Sequence, residues 1–272
     1  MMSPFASCRF ARWRLRRTKQ TSVRHGEYTE SYKTRKFASP ESIALLHRFP
    51  NVQSQFPQET LNRIHRSGII AVLVIDQVQH AMPVAKALLA GGIDAMELTL
   101  RTSSAVECLK EVRQHVPEML PGVGTVLTEQ QVDQVVEAGA AYAVAPGLNP
   151  RVVQHAQQKG LPFAPGVMTP SDIEAALELG CRELKFFPAE PSGGMKMLTS
   201  LRAPYAHLGL KFFPLGGLNT GNVTDYLAAP FVLAVGGSWL APADVIQAEQ
   251  WQTITDKAIE ARQIVDSVRK GA

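Results

Sequence analysis

The chain has few cysteines, few aromatic residues and no long apolar run. Its 272 residues include three cysteines, Cys8, Cys108 and Cys181, far apart and forming no CxxC pair. The odd count and the spacing exclude a disulfide framework and a cysteine-held zinc site. They read instead as reduced thiols that behave as small apolar residues. The longest uninterrupted apolar run is Ile69 to Ile75. That falls far short of the roughly 20 residues a membrane helix requires, so neither a span nor a membrane partner is expected. The remaining composition, 45% hydrophobic with 20 Gly and 18 Pro, is globular. It excludes a collagen-like, coiled-coil or wholly disordered chain.

The net charge of +4 is unevenly distributed, since residues 1–60 hold 11 Lys+Arg against 4 Asp+Glu. The rest is mildly acidic, and nothing in it indicates a nucleic-acid partner. From Arg9 to Lys19 there are six bases and no acid. That stretch can be read as an organellar transit segment, as an arm for nucleic acid or a membrane surface, or as a disordered extension from an over-called start. Glu27, Glu30 and Glu41 dilute the transit pattern, and Arg16-Arg17 is not followed by the apolar run of a twin-arginine signal. The favoured reading is a disordered basic extension over 1–56 preceding a single domain over 57–272. Low apolar content there cannot repay the entropy of ordering.

From Gln58 the texture becomes regular. Eight apolar runs of strand length recur, at Ile69–Ile75, Ala95–Leu100, Leu120–Val126, Tyr142–Ala145, Pro162–Val167, Glu183–Phe187, Lys211–Leu215 and Phe231–Val235. Helical patterns lie between them, including Val78–Ala90, Ser104–His115, Glu129–Ala138, Arg151–Lys159 and Ser171–Leu179. Strands apolar on both faces and alternating with helices read as parallel βα units. Eight such units most economically close into an α/β fold of the (β/α)8 TIM-barrel type. An open doubly wound sheet is the alternative, but it usually begins with a Gly-rich nucleotide turn. Here the first strand runs into Asp76-Gln77-Val78. Thr128 with Gln131, and Thr169-Pro170 with Asp172, predict helix starts. Gly91-Gly92, Gly139, Gly160 and Gly180 predict helix ends. Gln58–Arg66 reads as a helix closing the bottom of the barrel, and Ala243–Arg269 as a terminal helical segment outside it.

The active site of such a barrel lies at the C-terminal ends of the strands. Charges inside or just after apolar strands are therefore informative. In the second strand Glu97, Thr99 and Arg101 share a face, and in the sixth Lys185 and Phe187 do. A lysine inside an apolar strand needs a partner, because desolvation disfavours the ammonium. The same penalty makes a neutral amine available for Schiff-base chemistry. The alternative is a Glu97–Lys185 ion pair that only holds the core, although desolvation often cancels the Coulomb gain of such a pair. Gly216-Gly217 and Gly236-Gly237-Ser238 follow the last two strands, where barrels commonly bind phosphate on backbone N–H groups. Tight strand-to-helix turns are the other reason for those glycines.

Read in order, Glu97-Leu98-Thr99-Leu100-Arg101-Thr102, Gly122-Val123-Gly124-Thr125, Ala145-Pro146-Gly147, Lys185-Phe186-Phe187-Pro188-Ala189-Glu190, Gly216-Gly217 and Gly236-Gly237-Ser238-Trp239 closely resemble the family of 2-keto-3-deoxy-6-phosphogluconate (KDPG) and 4-hydroxy-2-oxoglutarate (KHG) aldolases. The resemblance spans roughly residues 58 to 265. It implies a class I aldolase acting on a phosphorylated 2-keto acid, using no metal and no cofactor, cytoplasmic and assembled as a homotrimer. It implies Lys185 as the Schiff-base lysine and Glu97 as the general acid/base. Arg101 and Thr125 would hold the substrate carboxylate, and Pro146 and Phe187 would wall the pocket. Gly216, Gly217, Gly237 and Ser238 would cradle the phosphate. Met168 stands where the family often has a small hydroxyl residue, which implies a local change in pocket shape.

Three rivals remain at this point. A metal-dependent aldolase needs a ligand cluster, but none of the seven histidines falls on an expected strand end, and each reads as a solvated helix or loop residue. A non-catalytic barrel binding a phosphorylated ligand would not need Lys185, Glu97 and Arg101 together. A phosphogalactonate substrate differs by one hydroxyl configuration. Asn222-Val223-Thr224 matches a glycosylation acceptor by chance, at an expected helix start.

Overall fold

The computed structural model describes residues 54–269. The expected extension therefore lies outside the described residues, apart from its last three positions, and so does Cys8. The described strands are β1 (Ile69–Leu73), β2 (Ala95–Thr99), β3 (Leu120–Gly124), β4 (Tyr142–Val144), β5 (Phe163–Ala164), β6 (Gly166–Val167), β7 (Glu183–Phe186), β8 (Lys211–Pro214) and β9 (Val235–Gly237). They form two parallel ladders, β5-β4-β3-β2-β1-β9 and β6-β7-β8. β5 and β6 are one expected strand interrupted at Pro165, which has no N–H to give to a ladder. Its carbonyl still accepts from the Lys185 N–H at 2.9 Å. The bridges Leu215↔Gly236 and Phe212↔Val232 join β8 to β9 and its approach. The ring thus closes as a (β/α)8 barrel.

Alternation along each strand divides the apolar residues into two clusters. Ile70, Ala95, Leu120, Tyr142, Phe213 and Leu215 face inward and fill the barrel. Ile69, Ala71 and Leu73, with their counterparts on other strands, face outward against the helices. Each such side chain removed from water contributes about 1.5–3 kcal/mol. Tyr142 fits inside because position 122 has no side chain: a Cβ there would lie 2.2 Å from its ring. The helix Gln58–Ser67 closes the lower mouth with Ile64. Phe56 joins it, its ring centroid 6.1 Å from that of Phe213.

The expected capping box of Thr128 with Gln131 forms, and the expected cap at Thr169 with its N1 proline forms as a second box with Asp172. Gly91 departs from the expected left-handed cap, with φ −88°. It is small because Ala258 packs on it, a Cβ there falling 2.3 Å from the Ala258 Cβ. Three other expectations need correction. The last strand is Val235–Gly237, not Phe231–Val235. The Val232 N–H turns back to the Ala229 carbonyl and leaves that segment a turn with one bridge. The terminal segment is two helices, Ala243–Gln247 and Trp251–Arg269, broken where Glu249 adopts φ 52°. His80 is not solvated but 3% exposed. Its Nε2 lies 3.3 Å from Glu249 Oε1 and its ring meets Trp251 edge-on. Cys108 and Cys181 are buried free thiols, and burial pushes Cys181 up to about 12. Among the described residues no helix is long and apolar enough to cross a membrane.

Candidate active site

A cavity of about 330 Å³ opens at the C-terminal ends of the strands. That is enough for a small metabolite. All ten residues to which the sequence assigns a catalytic or substrate-holding role line it.

The centre is a charged pair reaching across the barrel. β2 and β7 are not neighbours in the ring, yet Lys185 Nζ donates to Glu97 Oε1 at 3.2 Å. The two side chains are 6% and 2% exposed. Glu97 has room because β3 carries glycine at 124, two residues past its register partner Gly122: a Cβ at Gly124 would sit 1.8 Å from Glu97 Oε1. Lys185 Nζ also lies 5.2 Å from the centroid of Phe187, a cation–π contact that keeps the amine over an apolar wall. Pro146 also lines the cavity. Below the pair, the buried Tyr142 hydroxyl donates to the Met96 carbonyl at 3.0 Å. Burial, and then the charge of Glu97, holds this phenol well above its ordinary range, so it stays a neutral donor.

At one end of the cavity stand Arg101 and Thr125. Thr125 adopts φ 64°, a left-handed conformation that a β-branched residue enters only under constraint. Arg101, Lys185 and Glu97 are the charged lining residues, an excess of one positive charge. At the other end are Gly216, Gly217, Gly237 and Ser238. Gly216 and Gly217 have φ 98° and 80°. The carbonyls of Leu215, Gly216 and Gly217 accept from Ala189 N–H, Glu190 N–H and the Asn222 amide. The turn's acceptors are therefore tied into the protein. Asn222 of the glycosylation match is engaged in holding it.

Met168 does not line the cavity. It is 38% exposed, and its sulfur accepts from the Ser192 hydroxyl at 2.8 Å. Its N–H is bound by the capping carboxylate Asp172 at 2.9 Å, which carries the chain out of the barrel after β6. The expected change in pocket shape is thus corrected. Gly236, part of the expected glycine turn, also lines the cavity, and so do Val72, Leu215 and Leu218, which the sequence did not single out. Val72 was findable, lying two residues from the inward Ile70; Leu215 and Leu218 only flank the glycine turn. Among the described residues, no three His, Cys, Asp or Glu are grouped to hold a metal ion.

Residues 61–257 match the family model described as KDPG and KHG aldolase. The KHG/KDPG aldolase of Escherichia coli (strain K12) is 42% identical over 193 residues, 71% of this chain and 90% of that protein. The 2-dehydro-3-deoxy-phosphogluconate aldolase of Treponema pallidum (strain Nichols) is 43% identical over 202 residues, 74% of this chain and 95% of that one. Among solved structures, the KDPG aldolase of Legionella pneumophila, with pyruvate captured as a covalent carbinolamine, is 38% identical. It superposes with a TM-score of 0.70 over 73% of this chain and 96% of its own. A structure described as native KDPGal is 25% identical, with a TM-score of 0.65 over 74% of this chain and 96% of its own. The matched region contains every barrel strand and both ends of the cavity, and the chain belongs to the KDPG and KHG aldolase family of aldehyde-lyases.

Proposed function

We propose that this chain is a Schiff-base aldolase that cleaves 2-dehydro-3-deoxy-6-phosphogluconate to pyruvate and glyceraldehyde 3-phosphate. The same chemistry would cleave 4-hydroxy-2-oxoglutarate to pyruvate and glyoxylate. The observation that carries the reading is the buried amine of Lys185 at 3.2 Å from the carboxylate of Glu97, inside an open cavity. A purely structural pair would not need a cavity around it.

Arg101 suits the substrate carboxylate because its planar fork can bind two oxygens. With the carboxylate held there, Lys185 passes its ammonium proton to Glu97 and attacks the C2 ketone as a free amine. Glu97 returns that proton to the carbinolamine hydroxyl, which leaves as water and gives an iminium. The C4 hydroxyl proton passes to Glu97, directly or through one water, as the C3–C4 bond breaks. The aldehyde leaves, and the bonding pair becomes the enamine double bond. Glu97 returns the proton to C3, and water hydrolyses the iminium to pyruvate and free amine. At the far end, a turn whose carbonyls are already engaged offers its amide edge, with the Ser238 hydroxyl, to a phosphate. The relatives and solved structures named for phosphogluconate alone are 36–44% identical, against 25% for KDPGal. That supports the gluconate configuration.

The test is borohydride trapping with pyruvate, followed by mass spectrometry of the digest. A reduced adduct is expected on Lys185, and Lys185→Ala should lose label and turnover together. Label on another lysine, or none, would sink the Schiff-base reading. Activity lost to EDTA and restored by zinc would overturn it independently. Comparing kcat/KM for phosphogluconate-, phosphogalactonate- and hydroxyoxoglutarate-derived substrates decides the preference.

A further inference from the structure

We infer that Thr99 is a positioning residue for the 2-keto acid, aiming the Arg101 fork into the cavity. The inference rests on the reading of Arg101 as the holder of the substrate carboxylate and adds how an exposed arginine is made directional.

Arg101 lies past the end of β2 and is exposed. A long side chain in that setting keeps considerable rotamer freedom, which binding would have to remove. Thr99, 4% exposed, restricts it. Its Oγ1 donates to the Leu73 carbonyl at 2.9 Å. The hydroxyl has one proton, so its remaining capacity is to accept. Arg101 Nε donates to it at 3.3 Å. With Nε occupied, the guanidinium presents its two terminal nitrogens, the edge that binds a carboxylate through parallel bonds. The anchor is itself fixed. Thr102 and Ser104 both donate to the Ile75 carbonyl, at 2.8 and 2.6 Å. Three hydroxyls thus stitch the chain around Arg101 to the end of β1 and the loop after it. In addition, the Arg101 N–H is turned back onto the Thr99 carbonyl at 2.7 Å.

None of these groups reaches the reacting carbons, so the expected signature is in binding rather than in the chemical step. The probe is pyruvate, and the readout is the initial rate of borohydride trapping at Lys185 as pyruvate is varied. Thr99→Val keeps the shape and removes the hydroxyl. It should raise the half-saturating pyruvate concentration about tenfold, as loss of a hydrogen bond to a charged group does, with little change in the plateau rate. Thr99→Ser should restore the parent value. Thr99→Ala serves in place of the valine variant should that one not fold. In an Arg101→Met background, the Thr99 substitution should add nothing. Equal effects in both backgrounds, or no effect in the parent, would overturn the role of Thr99 while leaving Arg101 as the carboxylate holder. Unchanged pyruvate saturation in Arg101→Met alone would remove the reading of Arg101 and the inference together.

Discussion

The two ends of the cavity are built from different materials. The Arg101 end, continuous with the central Glu97–Lys185 pair, is made of side chains on or just past strands, with its charges on flexible or titratable groups. The end near Gly216, Gly217, Gly237 and Ser238 is made of backbone, and contributes one hydroxyl and no charged side chain. The first can be damaged by taking a group away. Most of the second can be damaged only by adding one. The division suits a substrate whose reactive half needs proton and electron movement while its distal half needs only to be held.

The largest contrast is expected at Glu97. Glu97→Gln keeps the volume and removes the carboxylate, and if that carboxylate is the proposed base kcat should fall by about 10²–10⁴. Steady-state kinetics on phosphorylated and unphosphorylated substrates should show the same loss for both, since both share the pyruvate half. A loss confined to one substrate would mean that Glu97 reads the distal half instead. At the backbone end, Ser238→Ala should raise KM for the phosphorylated substrate about tenfold to a hundredfold, corresponding to about 1.5–3 kcal/mol for a hydrogen bond to a charged group. The effect on 4-hydroxy-2-oxoglutarate should be smaller, and equal effects would argue that Ser238 does not touch phosphate.

Gly217→Ala tests the same end by addition. Position 217 has φ 80°, and a Cβ there would lie 2.7 Å from the Glu190 Cβ. Chemical denaturation should show a loss of at least about 1–2 kcal/mol from the left-handed backbone alone. KM for phosphate-bearing substrate should rise and kcat should hold; an undisturbed KM would mean that the turn does not contact the phosphate.

The smallest expected effect lies at the opposite mouth of the barrel. Glu183 is 4% exposed, and burial raises its carboxyl above the ordinary range, partly opposed by the Ser54 hydroxyl. A carboxyl raised in the folded state binds more protons than its unfolded counterpart. Stability is therefore lost as pH rises from the ordinary carboxylate value through the raised one. Glu183→Gln should then be more heat-stable than the parent near pH 7, with the advantage vanishing at acidic pH and turnover unchanged. A gain that persists at low pH would point to packing rather than to charge.

Much of this was legible in the residues because burial makes charge conspicuous. Lys185 and Glu97 interrupt strands that are otherwise apolar, and the glycine pairs end the last two strands. Those signals are local, and they survive folding. What was not legible depends on groups distant in sequence. The broken terminal helix has neither glycine nor proline at Glu249; the break coincides with a contact to His80, 169 residues away. The hydroxyl of Thr99 looked like one more residue on a shared face. Its meaning emerges only when Leu73 supplies the carbonyl that takes its proton. The inward Leu215 was hidden for a similar reason: its side chain occupies space left by Gly236, where a Cβ would fall 2.3 Å from its Cγ.

The empty space at position 124 also bears on how this sequence can drift. The acid at 97 and the absence of a side chain at 124 occupy one volume between two adjacent strands, with 1.8 Å separating the Glu97 oxygen from where a Cβ would be. Any replacement of Gly124 must first displace the carboxylate, which couples the two positions: Gly124→Ala should act on the placement of the 97 side chain before it acts on the fold.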